Sequence, residues 1–237
     1  LGSWAVLAVT ALVVWTVAAR APVLRRARPP GVPDPDDGDP VSGAAEAPRR
    51  SLLRSPLAWV VTVFFGSQAC LAYIVMGWLP QVLMDAGVSR TQAGLMVGLI
   101  SLLGIPVSLV VPALAARQGS QSGWIAGLGA FGVVGVLGLM TVPEYSPLLW
   151  SVLVGVGMSV FSLALTTIAL RARTGADTAS LSGMAQGFGY LLAAVGPFLF
   201  GLLHDVTGDW TVPFAMLLGV LLVQIGFGWL AGRPRYV

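Results

Sequence analysis

Seven apolar runs, each long enough to cross a bilayer and none holding Asp, Glu, Lys, Arg or His, leave this chain few folds to adopt. They cover residues 1–19, 57–79, 92–115, 124–142, 148–170, 181–203 and 212–231. A hydrocarbon core of about 30 Å needs roughly 20 apolar residues of helix. Lipid offers backbone groups no partner, so each run must satisfy its own as a helix. A soluble core is excluded by composition: the 237 residues are 56% hydrophobic and 10% charged, against about 25% charged in soluble domains. The run at 181–203 is rich in Gly and contains a Gly-Pro step, which membrane helices tolerate where neighbours pack closely. The first run has no initiator Met and no basic segment before it, so it reads as a span and not a signal peptide. The chain is accordingly expected to begin inside a longer protein.

Between the first two runs, residues 20–55 hold seven Pro, seven Arg and five acidic residues, including DPDDGDP at 34–40. Such a segment buries too little apolar area to offset ordering, and a flexible linker is expected. It separates a lone helix at 1–19 from a six-helix bundle at 56–232, with a tail at 233–237. All 13 basic residues that count towards the net charge of +3 are Arg. Twelve lie in the linker, the 116–123 and 171–180 loops and the tail, and only Arg90 lies in the alternating loops. By the positive-inside rule the linker and the C-terminus are expected to be cytoplasmic, in a multi-pass protein of the plasma membrane. Arg residues spaced between apolar runs signal orientation and not a nucleic-acid footprint. Cys70 is the single cysteine, so no intramolecular disulfide or thiol metal site can form.

A shift of 89 residues pairs Gly94 with Gly183, Gly98 with Gly187, and Leu102–Leu103 with Leu191–Leu192. An offset of three helices reverses direction in the membrane, which is the pattern of an inverted repeat. The runs FFGSQACLAYIVMGWLP (64–80), SLALTTIALRARTG (162–175) and SLSGMAQGFGYLLAAVGPFLFGLLHDVTGDW (180–210) resemble the cyanate and nitroimidazole permease branch of the major facilitator superfamily. The resemblance implies an all-α integral membrane fold. Residues 54–232 would be the C-terminal six-helix bundle, a 3+3 inverted repeat, with 1–19 as the preceding transmembrane helix and an N-terminal half as partner. One loop departs from the superfamily pattern: PALAARQGSQ (112–121) keeps Arg117 and Gly119 but lacks the Asp and the paired basic residues. That departure argues against a charged cytoplasmic latch in this half.

Helical spacing assigns faces. Ser151, Gly155, Ser159, Ser162 and Thr166 share one stripe; Gly94, Gly98, Ser101, Ile105 and Ser108 share another; Ser182, Gln186 and Tyr190 step by four. Close packing is the expectation for the Gly and Ser positions, and specifically for the Gly183/Gly187 pair. Gln68, Gln186 and Tyr190 are different, because an unpaired amide in hydrocarbon is costly and must face protein or a wet path. At about 1.5 Å per residue, Gln68 and Tyr190 come out near the midplane. The resemblance places them on path-lining helices. A substrate-facing role and a structural interhelical hydrogen bond both remain open. The substrate-path candidates are Gln68, Tyr73, Ser101, Ser159, Ser162, Gln186 and Tyr190. Gln224, on a helix that is peripheral in the family, is expected to be structural. Trp78-Leu79-Pro80 is expected to end a helix at the outer interface, and His204 beside Asp205 to cap or anchor one.

Enzyme chemistry finds no support. There is no acidic cluster, no Cys/His ligand spacing, no nucleophile with a buried base and no phosphate-cradling Gly loop. No cofactor, metal or nucleic acid is expected. The reading is secondary transport of a small solute, a cyanate-like anion or a small polar heterocycle, by alternating access across the lipid bilayer. The alternative is a non-transporting fragment or assembly partner. Since the spans hold no carboxylate or His, any proton carrier is expected outside this half.

Overall fold

A computed structural model describes residues 52–237. The first apolar run and the linker up to residue 51 lie outside the described residues. All six remaining runs are helical. They form α1 (Pro56–Asp85), α2 (Arg90–Ala116), α3 (Ser122–Thr141), α4 (Pro147–Met158), α5 (Val160–Leu170), α6 (Gly175–Thr207) and α7 (Thr211–Ala231). α4 and α5 together make one crossing, so the described part is a six-span all-α bundle. The last residues of the segment read as a flexible linker are ordered: Leu52–Arg54 form a 3-10 turn and Ser55 caps α1, its Oγ accepting from Ala58 N. Ser89 and Thr174 cap α2 and α6 in the same way. Gly208 closes α6 with φ +74°, a left-handed cap that costs glycine nothing.

α1 is the hub, packing against α6, α7, α2 and α5. Of its most apolar window 67% is buried, against 6% for α2, which lies on the outside of the bundle with one face uncovered. Trp78-Leu79-Pro80 does not end the helix, contrary to the sequence expectation. α1 continues through Pro80 to Asp85, and Trp78 is partly buried against α6, its Nε1 donating to Pro197 O at 2.9 Å. Membrane helices tolerate the ladder bond lost at a proline where neighbours pack closely.

Glycine sets how closely the helices approach. A Cβ on Gly66 would lie 3.0 Å from Gly189 Cα, one on Gly196 would overlap Cys70 Sγ, and one on Gly201 would overlap Trp78. These positions let α6 lie against α1. Gly157 and Gly132 bring the α4 end against α3, where an added Cβ would sit 2.6 Å from the opposing Cα. Gly183 and Gly187, expected to pack, have nothing within 4 Å, and the same holds for Gly94 and Gly98. The reason is geometric: their stripe points out of the bundle, on the opposite side of α6 from Gly189 and Gly196. The packing expectation is met by Ser151 and Gly155, both buried, with Gly155 facing Ile100. All four glycines, Gly94, Gly183, Gly98 and Gly187, thus share one open environment.

At the end carrying the α2–α3 and α5–α6 loops and the tail, Arg171 is 3% exposed. Its Nε donates to Ala231 O at 2.8 Å; its Nη2 donates to Gly232 O at 3.1 Å and to Gln121 Oε1. Gln121 Nε2 passes the connection to Ala115 O and Gln118 O, both at 3.1 Å. One guanidinium therefore ties the C-terminal ends of α2, α5 and α7. The expectation of no charged latch needs qualifying: a charged tie exists, but its partners are carbonyls and an amide instead of a carboxylate.

At the opposite end His204 lies in the last turn of α6 and stacks on Trp210, ring centroids 3.7 Å apart. Trp210 Nε1 donates to Asp85 Oδ2 at 3.1 Å, joining the end of α1 to the start of α7. His204 sits where an anchoring role was expected.

Candidate functional site

The site begins with a break. Residues 148–170 read as one continuous run, yet the helix stops at Met158 and restarts at Val160. Ser159 N bonds Val156 O at 3.1 Å and Ser162 N bonds Ser159 O at 3.3 Å, tighter bonds than the α-helical ladder makes. Gly155 and Gly157 immediately precede it. Gln68 crosses from α1 and donates Nε2 to Met158 O at 3.0 Å. Gln68 is fully buried, so its amide supports the broken helix from inside the bundle wall. That is the interhelical alternative, and Gln68 has no surface of its own on the open face.

Beyond the break, an aromatic line crosses three helices. Phe161 of α5 and Phe65 of α1 have ring centroids 5.7 Å apart. Phe65 meets Tyr190 of α6 edge-on at 5.3 Å and 70°. Tyr190 stacks on Tyr73 of α1 at 6.2 Å and 20°. Phe65 is fully buried, whereas Tyr73 is 45% and Tyr190 38% exposed, so the line runs from the core to an open surface carrying two phenols. Of the candidates named from sequence, Tyr73 and Tyr190 are thus brought together. Gln186 lies one turn along α6, partly buried, its Nε2 on Ser182 Oγ at 2.6 Å. Ser162, partly buried beside Phe161, donates to Ser159 O at 2.9 Å. Ser159 is buried and turned to Gly155 O, and so belongs to the break. Ser101 is exposed on α2 and donates to Val97 O. Gln224 is fully buried in the core.

Sequence reasoning missed Phe65 and Phe161, whose only signal was their place beside Gly66 and Ser162 in apolar runs. Chemically, the described residues of the face offer aromatic surfaces and hydroxyl groups without a fixed charge. Such a surface suits a small planar or weakly charged solute, which can lie against a ring while hydroxyls orient its polar atoms.

The family description that matches residues 1–191 is the Major Facilitator Superfamily. The chain is 36% identical to the uncharacterized transporter YycB of Bacillus subtilis, over 99% of this chain and 55% of that protein. It is 40% identical to the 2-nitroimidazole transporter of Escherichia coli, over 79% of this chain and 48% of the relative. It is 26% identical to the cyanate transport protein CynX of the same organism, over 73% and 46%. The chain spans about half the length of these relatives.

Proposed function

We propose a function from one premise: the chain belongs to the Major Facilitator Superfamily, in the branch that includes the cyanate and 2-nitroimidazole transporters. It is a multi-pass membrane protein of a transporter family. Our reading is that it forms one half of a secondary transporter, with the open face of α1, α2, α5 and α6 closing against a second six-helix half. The two would rock about a shared site and expose it to each side in turn. The observation that carries this is the aromatic line ending in Tyr73 and Tyr190 on an uncovered face of an otherwise packed bundle. The solute we assign is a small polar heterocycle or a cyanate-like anion, bound by Tyr73, Tyr190, Ser162, Gln186 and Ser101. Gln68 and Ser159 hold the break behind them.

The test is uptake of labelled 2-nitroimidazole and cyanate by cells expressing a transporter in which five further spans precede this chain. Saturable uptake of one of them is expected, lowered at least tenfold by Tyr190→Ala at unchanged membrane abundance. A tenfold loss corresponds to about 1.4 kcal/mol, within reach of one aromatic contact and one hydrogen bond. The second reading is a non-transporting fragment or assembly partner. Absence of uptake above vector cells for both solutes, with the protein present in the membrane, would establish that second reading.

The orientation we assign puts residues 233–237 in the cytoplasm, supported by the Arg distribution. In a Cys70→Ala background, Tyr145→Cys should label with an impermeant thiol reagent in intact cells, and Arg235→Cys should not. The reverse pattern would invert the topology. Tyr145 is 83% exposed on the α3–α4 loop, so access is not limiting.

A further inference from the structure

A second concave surface lies away from the open face. Gln118, Gly123, Trp124, Gly127, Leu128 and Phe131 line a groove of about 380 Å³ on α3. The opposite side of α3 is spoken for, with Ile125, Gly129, Gly132 and Val136 buried in the bundle. The groove therefore looks out of the protein along a helix of membrane-spanning length. Its floor is made by Gly123 and Gly127, where an added Cβ would meet nothing within 4 Å. Trp124 and Phe131 form its walls, and Trp124 is held in place by Nε1 donating to Gln118 Oε1 at 3.0 Å.

Charge gathers at the mouth. Arg117 caps α2 next to Gln118 and is exposed. Exposed Arg233 follows Gly232, whose carbonyl accepts from Ser120 Oγ at 3.1 Å and Gln121 N at 2.9 Å, three residues or fewer from Gly123. The described residues at this end of the bundle include Arg54, Arg117, Arg171, Arg173, Arg233 and Arg235 against one acid, Asp177. At the other end the balance reverses, with Arg90 against Asp85, Glu144, Asp205 and Asp209. An apolar groove along a membrane-spanning helix, with exposed Arg117 and Arg233 in the segments next to its Gln118 end, matches one kind of molecule in both parts.

We propose that this groove is a binding site for an anionic phospholipid. One acyl chain lies along Gly123 and Gly127 between Trp124 and Phe131, and the phosphate of the headgroup pairs with Arg117 and Arg233. Arginine suits phosphate because its planar fork meets two oxygens at once. A zwitterionic lipid would fill the same groove, but its own cation would offset the attraction of the two guanidinium groups.

The 237-residue chain, reconstituted in phosphatidylcholine vesicles with and without phosphatidylglycerol, is extracted in mild detergent and weighed by native mass spectrometry. Retention of one phosphatidylglycerol per chain through delipidation is expected, with no comparable retention of phosphatidylcholine. Gly127→Leu, which fills the groove floor without meeting protein, should lower that occupancy at least fivefold. Arg117→Gln with Arg233→Gln should do the same. Thermal midpoints measured without added phosphatidylglycerol should match the parent, which separates lost binding from lost folding. Equal retention of both lipids, or equal phosphatidylglycerol in parent and variants, would overturn the site. So would a response to the arginine pair alone with Gly127→Leu unaffected, because that marks an anion contact without a lipid groove.

Discussion

Arg171→Leu is expected to remove most folded protein from the membrane. Arg171 is almost wholly buried, yet among the described residues its hydrogen-bond partners include no carboxylate; it is held by Ala231 O, Gly232 O and Gln121 Oε1. The compensation comes from the ends of helices. α7 terminates at Ala231, α2 at Ala116, and α5 at Leu170, each presenting carbonyls that no further turn can satisfy. Helix C-termini carry partial negative charge, and a cation among them is stabilised. Burial lowers the pKa of Arg171, and Tyr236 opposes that shift. Leucine leaves these three buried acceptors without their donor, at about 1–3 kcal/mol each. Whole domains are stable by about 5–15 kcal/mol, so the loss is a large share. Arg171→Lys should recover only part of it, because an ammonium is a point charge that cannot reach both sides of the fork. Folded yield and thermal midpoint in detergent read the effect. A Leu variant with parental midpoint would mean that the tie contributes nothing.

The second large effect separates two glycines nine residues apart on one helix. Gly196→Leu should collapse the α1–α6 contact, since even a Cβ there overlaps Cys70 Sγ and lies 3.2 Å from Ile74 Cδ1. Overpacking a core typically costs about 1–3 kcal/mol, and a leucine driven against the middle of α1 belongs at or above the top of that range. Gly187→Leu faces open space and should leave the thermal midpoint unchanged. If the open face closes on a second half, the same variant should still impair uptake. Equal midpoints for the two variants would contradict the packing described for α6.

These glycines also mark how far the sequence could be read. All six described spans were legible to within a few residues at most ends, because hydrocarbon imposes length and apolarity directly. α1 and α6 run further than expected, since Gln81, Asp85, Asp177 and Asp205 are compatible with helix ends outside the apolar core. The break at Ser159 was not legible, because hydropathy is continuous across it and the discontinuity lies in backbone hydrogen bonds. Gly183 and Gly196 fall on different faces of α6, but which face is a contact depends on where α1 lies. The same applies to Gln68 and Tyr190. Depth placed both near the midplane, but whether each faced protein or the open side depended on its angle around a helix whose neighbours were unknown. Arg171 was counted as a loop charge that signals orientation. Its burial follows from three chain ends meeting in space, and no local pattern announces that.

The central claim is that the Tyr73–Tyr190 face lines a wetted solute path and not a lipid surface. Thiol reactivity tests it most directly, in a Cys70→Ala transporter joining this chain to its second half. Tyr190→Cys should react with a small water-soluble thiol reagent, and the transported solute should slow that reaction. Leu222→Cys, 56% exposed on α7 and expected to face lipid, should stay inert under the same conditions. A Tyr190→Cys protein that is as inert as Leu222→Cys, or that reacts without any protection by solute, would contradict the account.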